Sequence, residues 1–201
     1  MKRINDVHLQ TYIPPTTYKM EGKWIYNWFS NMLDIGDPVH YRGRTTRILE
    51  CAFQSAKNPD YPLGENRTPL IDVLMKDRTN GRTAKRIGSP KSGMIELRPN
   101  WEYMNVAAMD YFLRQRWSST SLLMAHCPDE HSIDNLVEWN NWGDRRWGVP
   151  ISTGTGRNVL GRLIKMIWID RFSGSDDWGE PDEERWVERQ DLLVSRINAM
   201  T

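Results

Sequence analysis

Cysteine is almost missing from this chain. Cys51 and Cys127 are the only two, and neither stands in a CxxC pair or beside histidines at zinc-site spacing. That excludes a disulfide framework and a zinc ribbon, and it leaves two reduced thiols of the kind expected in the cytoplasm. The four histidines, His8, His40, His126 and His131, form no HExxH-like pair, so no catalytic metal is expected. Long apolar runs are missing too: nothing approaches the roughly 20 residues of a membrane span. Met1 to Asp6 lead into no apolar core of signal-peptide type, so neither insertion nor export is expected. An excess of one charge is also absent, since 27 Lys and Arg oppose 26 Asp and Glu for a formal net charge of +1. Such a chain has no global field for gripping duplex DNA or an anionic membrane, and any nucleic-acid contact must be local. Gly154, Gly156 and Gly161 lack GxGxxG spacing and no Gly-Lys-Ser/Thr occurs, which excludes the dinucleotide and P-loop phosphate motifs. No cofactor is expected.

What is present suits one globular domain. The chain has 201 residues, 39% hydrophobic and 26% charged, enough to bury a core. Tryptophan is the compositional outlier, with ten in the chain, most of them expected as large core side chains. Residues 1–23, with Pro14-Pro15 and no clear periodicity, read as a lead-in; the body of the domain spans 24–171; residues 172–201 read as an acidic linker followed by a helix.

Within the body, Ile48, Leu49, Ala52, Phe53 and Ala56 recur at helical spacing. They predict a helix capped by Thr46 and stopped at Asn58-Pro59. Leu70 to Met75 predict another, Asn80-Gly81 a turn, and Thr83 to Gly88 a short helical turn. Val106, Met109, Leu113 and Trp117 predict a helix from an Asn100 cap to Trp117, with Ser118 to His126 as a short successor. Leu136 to Trp139 alternate too briefly to separate strand from helix. Leu160, Leu163, Ile164, Ile167 and Trp168 form a strong amphipathic pattern, and Trp186, Gln190, Leu193 and Ile197 a final one.

Two stretches carry chemistry. On the helix from Thr46, Glu50, Gln54 and Lys57 fall on one stripe, four and seven residues apart. They either converge on a ligand or decorate a solvated face. Later, Trp142-Gly143-Asp144-Arg145-Arg146-Trp147-Gly148 precedes Gly156-Arg157-Asn158-Val159-Leu160-Gly161, which opens the amphipathic helix. Asp144 among cations and indoles can meet a nucleotide-like ligand, with helix N–H groups facing an anion. The other reading is a salt-bridged turn with an Asn158 cap. Cys51 falls on the apolar side of its helix and reads as a buried small residue.

Taken in order, these segments resemble the NADAR, or YbiA-like, family. Phe29-Ser30-Asn31 is similar to its F/L-S-N entry, and Leu49 to Lys57 to its V-E-H-x-F-Q-x-x-K helix. Ala84-Lys85-Arg86-Ile87-Gly88 and Leu97-Arg98-Pro99-Asn100-Trp101, with Met109 after them, resemble its A-K-x-x-G and R-x-D-W segments. The Asp144 and Gly156 stretches resemble its D-x-x-W-G and G-x-N-x-L-G signatures. The similarity runs from about Trp24 to Asp170. Cys51 stands where histidine is common, Asn105 where a basic residue is usual, Met32 for an aromatic, and Asn100 for an aspartate; these bear on substrate identity more than on reaction type.

The resemblance implies a compact, mainly α, helix-rich domain with few short strands, α+β in the wider sense. It implies hydrolysis of an N-glycosidic bond in a ribose-containing substrate. ADP-ribose on guanine in single-stranded nucleic acid is the leading substrate; phosphorylated intermediates of riboflavin synthesis are the alternative, and a non-catalytic ADP-ribose-binding module is the alternative of another class. Glu50 becomes the proton-transfer carboxylate, Lys57 the nucleophile or clamp, and Asp144 the ribose-orienting or charge-stabilising residue. Asn31, Gln54, Lys85, Trp101, Arg145, Trp147, Gly156, Arg157 and Asn158 become the substrate contacts: the two tryptophans to sandwich the base, the asparagines to read ribose or base edges, and Arg145, Arg157 and Gly156 to meet phosphate. The Asp144 stretch is then one wall of a cleft shared with Glu50 and Lys57.

Overall fold

The computed structural model describes residues 17–20, 23–26, 31–32, 34–119, 123, 133–134, 136–140, 142–173 and 183–200. In chain order the elements are strands β1 (Thr17–Met20), β2 (Lys23–Tyr26), β3 (Asp34–Tyr41) and β4 (Arg44–Ile48), helix α1 (Leu49–Ser55), strands β5 (Pro62–Leu63) and β6 (Thr68–Pro69), and helices α2 (Leu70–Leu74), α3 (Gly81–Ile87) and α4 (Asn105–Arg116). Strands β7 (Trp139–Asn140) and β8 (Val149–Pro150) and helices α5 (Val159–Ser173) and α6 (Trp186–Ala199) complete them. The fold is helix-rich, and its strands are paired only as two-stranded ribbons among the described residues. No helix among them is long and apolar enough to cross a membrane.

These elements form two compact units. One holds the described residues of 31–119 and 179–199, the other those of 1–30 and 120–178. In the first, every residue of α1 from Leu49 to Ser55 is buried. A helix of seven residues has no stability of its own in water; its neighbours hold it. Cys51 joins Leu70, Leu74, Ala84 and Ile95 in a common core with α2 and α3, and Leu113 and Phe112 of α4 are wholly buried.

The helix expected from Thr46 begins later, at Leu49. Thr45, Thr46 and Ile48 are β-branched, and the β4 segment pairs antiparallel with β3, Val39 facing Thr46 and His40 facing Thr45. Pairing decides the state of residues that helical periodicity alone assigns to α1. Thr46 still turns the chain: its hydroxyl accepts from Ile48 N at 3.2 Å, and the first-turn N–H of Glu50 is met by the Asn31 carbonyl at 2.9 Å.

The helix expected from an Asn100 cap is also divided. Asn100 adopts a left-handed φ of 61° and makes no side-chain cap; a 3-10 turn, Trp101–Tyr103, follows, and α4 starts at Asn105. Its start is capped by Gln190 of α6, whose Oε1 accepts from Val106 N at 2.9 Å while Nε2 donates to Glu102 O at 2.7 Å. Asp110, fully buried on α4, takes Arg114 at 3.0 Å and Arg189 of α6 at 2.8 Å. Trp186, Gln190, Leu193 and Ile197 are all buried as their spacing predicts. Asn80 caps α3 by accepting from Thr83 N at 2.9 Å.

In the second unit, β1 pairs antiparallel with β2, Thr17 facing Tyr26, so the end of the lead-in is paired with the start of the body. Helix α5 buries Leu160, Leu163, Ile164 and Ile167, and Trp168 rests on Phe172 with ring centroids 4.4 Å apart. Of Leu136 to Trp139 only the last is strand: β7 lies parallel to β8, Trp139 beside Val149 and Asn140 beside Pro150. The helical successor expected over Ser118 to His126 falls largely outside the described residues.

Candidate functional site

Glu50 and Gln54 lie one turn apart on α1, and both are buried, at 7% and 4% exposure. The solvated-face reading of this stripe therefore fails. A buried carboxylate requires a partner, and Gln54 Nε2 donates to Glu50 Oε1 at 2.7 Å. The other end of the Gln54 amide, Oε1, has no hydrogen-bond partner among the described residues and lies against Gly88. A Cβ at Gly88 would stand 2.3 Å from that oxygen, so only glycine permits this approach.

Lys57 is beyond the helix, after the C-cap residue Ala56, and so reaches the stripe from a turn. Its Nζ donates to the Gly88 carbonyl at 2.8 Å and lies 5.9 Å from the centre of the Phe53 ring. Burial lowers its pKa to about 8; the negative charge of Glu50 resists that shift, and the positive charge of Lys85 adds to it. The A-K-x-x-G-like segment thus contributes twice, through the Lys85 charge and the Gly88 carbonyl. The backbone of Lys57 is held as well, its carbonyl accepting from Arg98 N at 2.8 Å.

Asn31 closes on the same helix. Its carbonyl meets Glu50 N, its Nδ2 donates to Met109 Sδ at 3.6 Å, and its buried Oδ1 has no hydrogen-bond partner among the described residues. Trp101 is buried and tilted against Phe53, centroids 5.5 Å apart, which makes it a support beneath the Phe53 ring. Lys85 is exposed on α3. Asn31, Glu50, Gln54, Lys57, Lys85 and Trp101 therefore belong to one unit and are linked through α1, α3 and their flanking turns.

Cys51, on the same short helix, is wholly buried in the apolar core, and burial pushes its thiol up to about 12. Such a thiol supplies no thiolate at neutral pH. Among the described residues no group of His, Cys, Asp and Glu is placed to hold a metal ion.

The Asp144 to Asn158 loop belongs to the other unit and is built as a self-bonded turn. Asp144 Oδ1 accepts from Arg146 N and Trp147 N, both at 2.9 Å, while Asn140 fixes the Asp144 backbone with bonds of 2.7 and 3.0 Å. The first-turn N–H groups of α5 do not face open space, as an anion nest requires: Val159 N donates to Arg146 O at 3.2 Å and Leu160 N to Trp147 O at 3.0 Å. Asn158, at φ 49°, accepts from Glu138 N and donates to Leu136 O, each at 2.8 Å. Both ends of its amide are engaged by backbone. Gly156 is needed for contact, since a Cβ there would stand 2.2 Å from Gly148 O. Arg145, Gly156 and Arg157 are exposed, and Trp147 is half-buried.

Sequence reasoning missed Glu183. It reads as the end of an acidic linker, yet it takes hydrogen bonds from Tyr41, Arg42 and Arg98. Arg98 sits in the recognised R-x-D-W-like segment and was the available signal.

No family model matches the chain, and no curated protein matches it. Among solved structures, its fold is similar to the NMR structure of the E. coli protein YbiA. The two share 22% sequence identity over 74% of this chain and 80% of that one, with a TM-score of 0.52. The likeness is one of fold.

Proposed function

We propose that this protein is an N-glycosidase that hydrolyses the ribosyl C–N bond of a nucleotide-like substrate, with ADP-ribose on guanine in single-stranded nucleic acid as the substrate of first choice. The observation that carries the reading is the Lys57 amine, half-buried and held against the Gly88 carbonyl at 2.8 Å, lowered to about 8 by desolvation, and facing the buried Glu50 carboxylate. At pH 7 such an amine is roughly one-tenth unprotonated, against well under about one-thousandth for an ordinary lysine. A nucleophilic lysine needs that free electron pair.

In the step we infer, Lys57 Nζ adds to the anomeric carbon as the C–N bond breaks and its electron pair leaves with the base. Glu50 accepts the proton released from the amine and passes a proton to the departing nitrogen. The ribosylamine so formed opens at its C1′–O4′ bond, the ring oxygen taking a proton, to give an imine; water adds to that imine, and the amine leaves to restore Lys57. Developing positive charge at the anomeric carbon is stabilised by the Glu50 carboxylate.

The orphaned acceptors Asn31 Oδ1 and Gln54 Oε1 suit a ligand that offers hydroxyl or amino donors, as ribose and a purine edge do. A near-neutral chain fits recognition of one nucleotide, single-stranded or flipped out, better than tracking of a backbone. Asp144, Arg145, Trp147, Gly156, Arg157 and Asn158 are assigned to the ribose-phosphate and base by motif order. Of these, the exposed Arg145 and Arg157 are the phosphate candidates.

The test is incubation with an ADP-ribosylated guanine oligonucleotide followed by mass analysis. Release of ADP-ribose and unmodified guanine is expected. Release only from phosphorylated riboflavin-pathway intermediates, run in parallel, would move the substrate and keep the reaction; tight binding with no product from either would replace the enzyme with a binding module.

A further inference from the structure

Glu183 stands outside every recognised motif, yet it ties together the two arginines that hold the chain leaving α1. Tyr41 donates its hydroxyl to Oε1 at 2.9 Å; Arg42 donates Nε to Oε2 at 2.8 Å and Nη2 to Oε1 at 3.0 Å; Arg98 donates Nη1 to Oε1 in a short contact. The same two arginines reach the loop after α1. Arg98 donates its backbone N–H to Lys57 O at 2.8 Å and Nη1 to Ala56 O at 3.5 Å, and Arg42 Nη1 pairs with Asp60 at 2.8 Å. Arg98 also lies 5.5 Å over the Trp186 ring.

Two guanidiniums meeting at one point repel each other, and a carboxylate between them cancels that repulsion while fixing both in direction. Burial alone would raise the pKa of Glu183, but hydrogen bonds from Arg42, Arg98 and Tyr41 outweigh it and hold the carboxyl below its ordinary value. The carboxylate is therefore charged wherever the fold is in use.

We propose that Glu183 is a positioning residue for Lys57: by joining Arg42 to Arg98 it holds the Ala56 to Asp60 loop, and with it the half-buried seat of the Lys57 amine against Gly88. The meaning of this link rests on reading Lys57 as the reacting amine, but its test uses no substrate. The charged groups facing Lys57 are Glu50 from α1 and Lys85 from α3; those facing Glu183 are Arg42 and Arg98, with the neutral Tyr41 hydroxyl beside them.

The experiment is competitive labelling of the folded full chain with trace acetic anhydride across a pH series, read peptide by peptide by mass spectrometry. In the parent chain Lys57 should titrate at about 8. In Glu183→Gln its midpoint should rise by about one unit toward the ordinary lysine value, while the exposed Lys76 and Lys91 do not move. Gln190→Leu, which loosens α6 without touching either arginine, should leave Lys57 in place. An unmoved Lys57 in Glu183→Gln overturns the proposal, as does an equal rise in Gln190→Leu. If Glu183→Gln does not unfold cooperatively, Glu183→Asp carries the same test: a rise supports the link and no rise overturns it. Failure of the oligonucleotide assay leaves this titration untouched, so the two readings fail separately.

Discussion

Lys57 and Gly88 are joined by a 2.8 Å hydrogen bond from a side-chain amine to a backbone carbonyl, across a site where burial works against the amine's charge. A neutral acceptor of this kind holds the amine in place without supplying the opposite charge that would restore its proton affinity. Geometry is thereby separated from protonation, which is what a lysine nucleophile requires.

Replacing Lys57 by Met should abolish product release while stabilising the fold at pH 7. Because the folded-state pKa is depressed below the unfolded one, the unfolded chain binds more protons between about 8 and 10.5, and stability contributed by this site rises with pH through that window. Removing the amine should recover up to about 3 kcal/mol at neutral pH. Thermal unfolding at pH 7 and pH 10 checks this: the gain should shrink at the higher pH, and a loss of stability at pH 7 would contradict the desolvation account. In the parent chain, release of the base should rise with pH toward about 8 as the amine is freed. Borohydride added during turnover should trap a ribosyl adduct on Lys57.

Glu50→Gln should lower the Lys57 titration midpoint further, since Glu50 is the group that raises it. With proton transfer lost, release of free base should fall by about 10²-fold or more. Single-turnover measurements about one to two pH units above the Lys57 midpoint of about 8 test the second point, where Lys57 protonation no longer limits; parental rates there would remove Glu50 from the mechanism.

Gly88→Ala places a methyl 2.3 Å from Gln54 Oε1. Relief requires Gln54 to swing away from Glu50 or the α3 end to shift, at about 1–3 kcal/mol. Urea denaturation should show that cost.

Asp144→Ala removes the acceptor of Arg146 N and Trp147 N and should cost about 1–2 kcal/mol, as loss of a cap does. Asp144→Asn keeps an acceptor oxygen and should restore most of that stability. If Asp144→Asn is folded but loses substrate release, the charge itself serves the ligand; full activity would leave Asp144 with the turn alone.

Residues whose role depends on local periodicity were legible. The α5 stripe from Leu160 to Ile167 and the α6 stripe from Trp186 to Ile197 both follow from side-chain spacing. Boundaries that depend on distant partners were not. Thr45 and Thr46 became strand because β3 pairs with them, and α4 starts at Asn105, under a cap lent by Gln190 from 84 residues away.

The same division holds at the site. The order of the motifs singled out Glu50, Gln54, Lys57 and Gly88, because residue type and spacing are properties of the chain itself. That Glu50 and Gln54 are buried, that Lys57 is desolvated against a carbonyl, and that Glu183 unites two arginines behind it were decided only in three dimensions. Desolvation and charge pairing depend on what surrounds a group, and those surroundings are assembled from segments far apart in sequence.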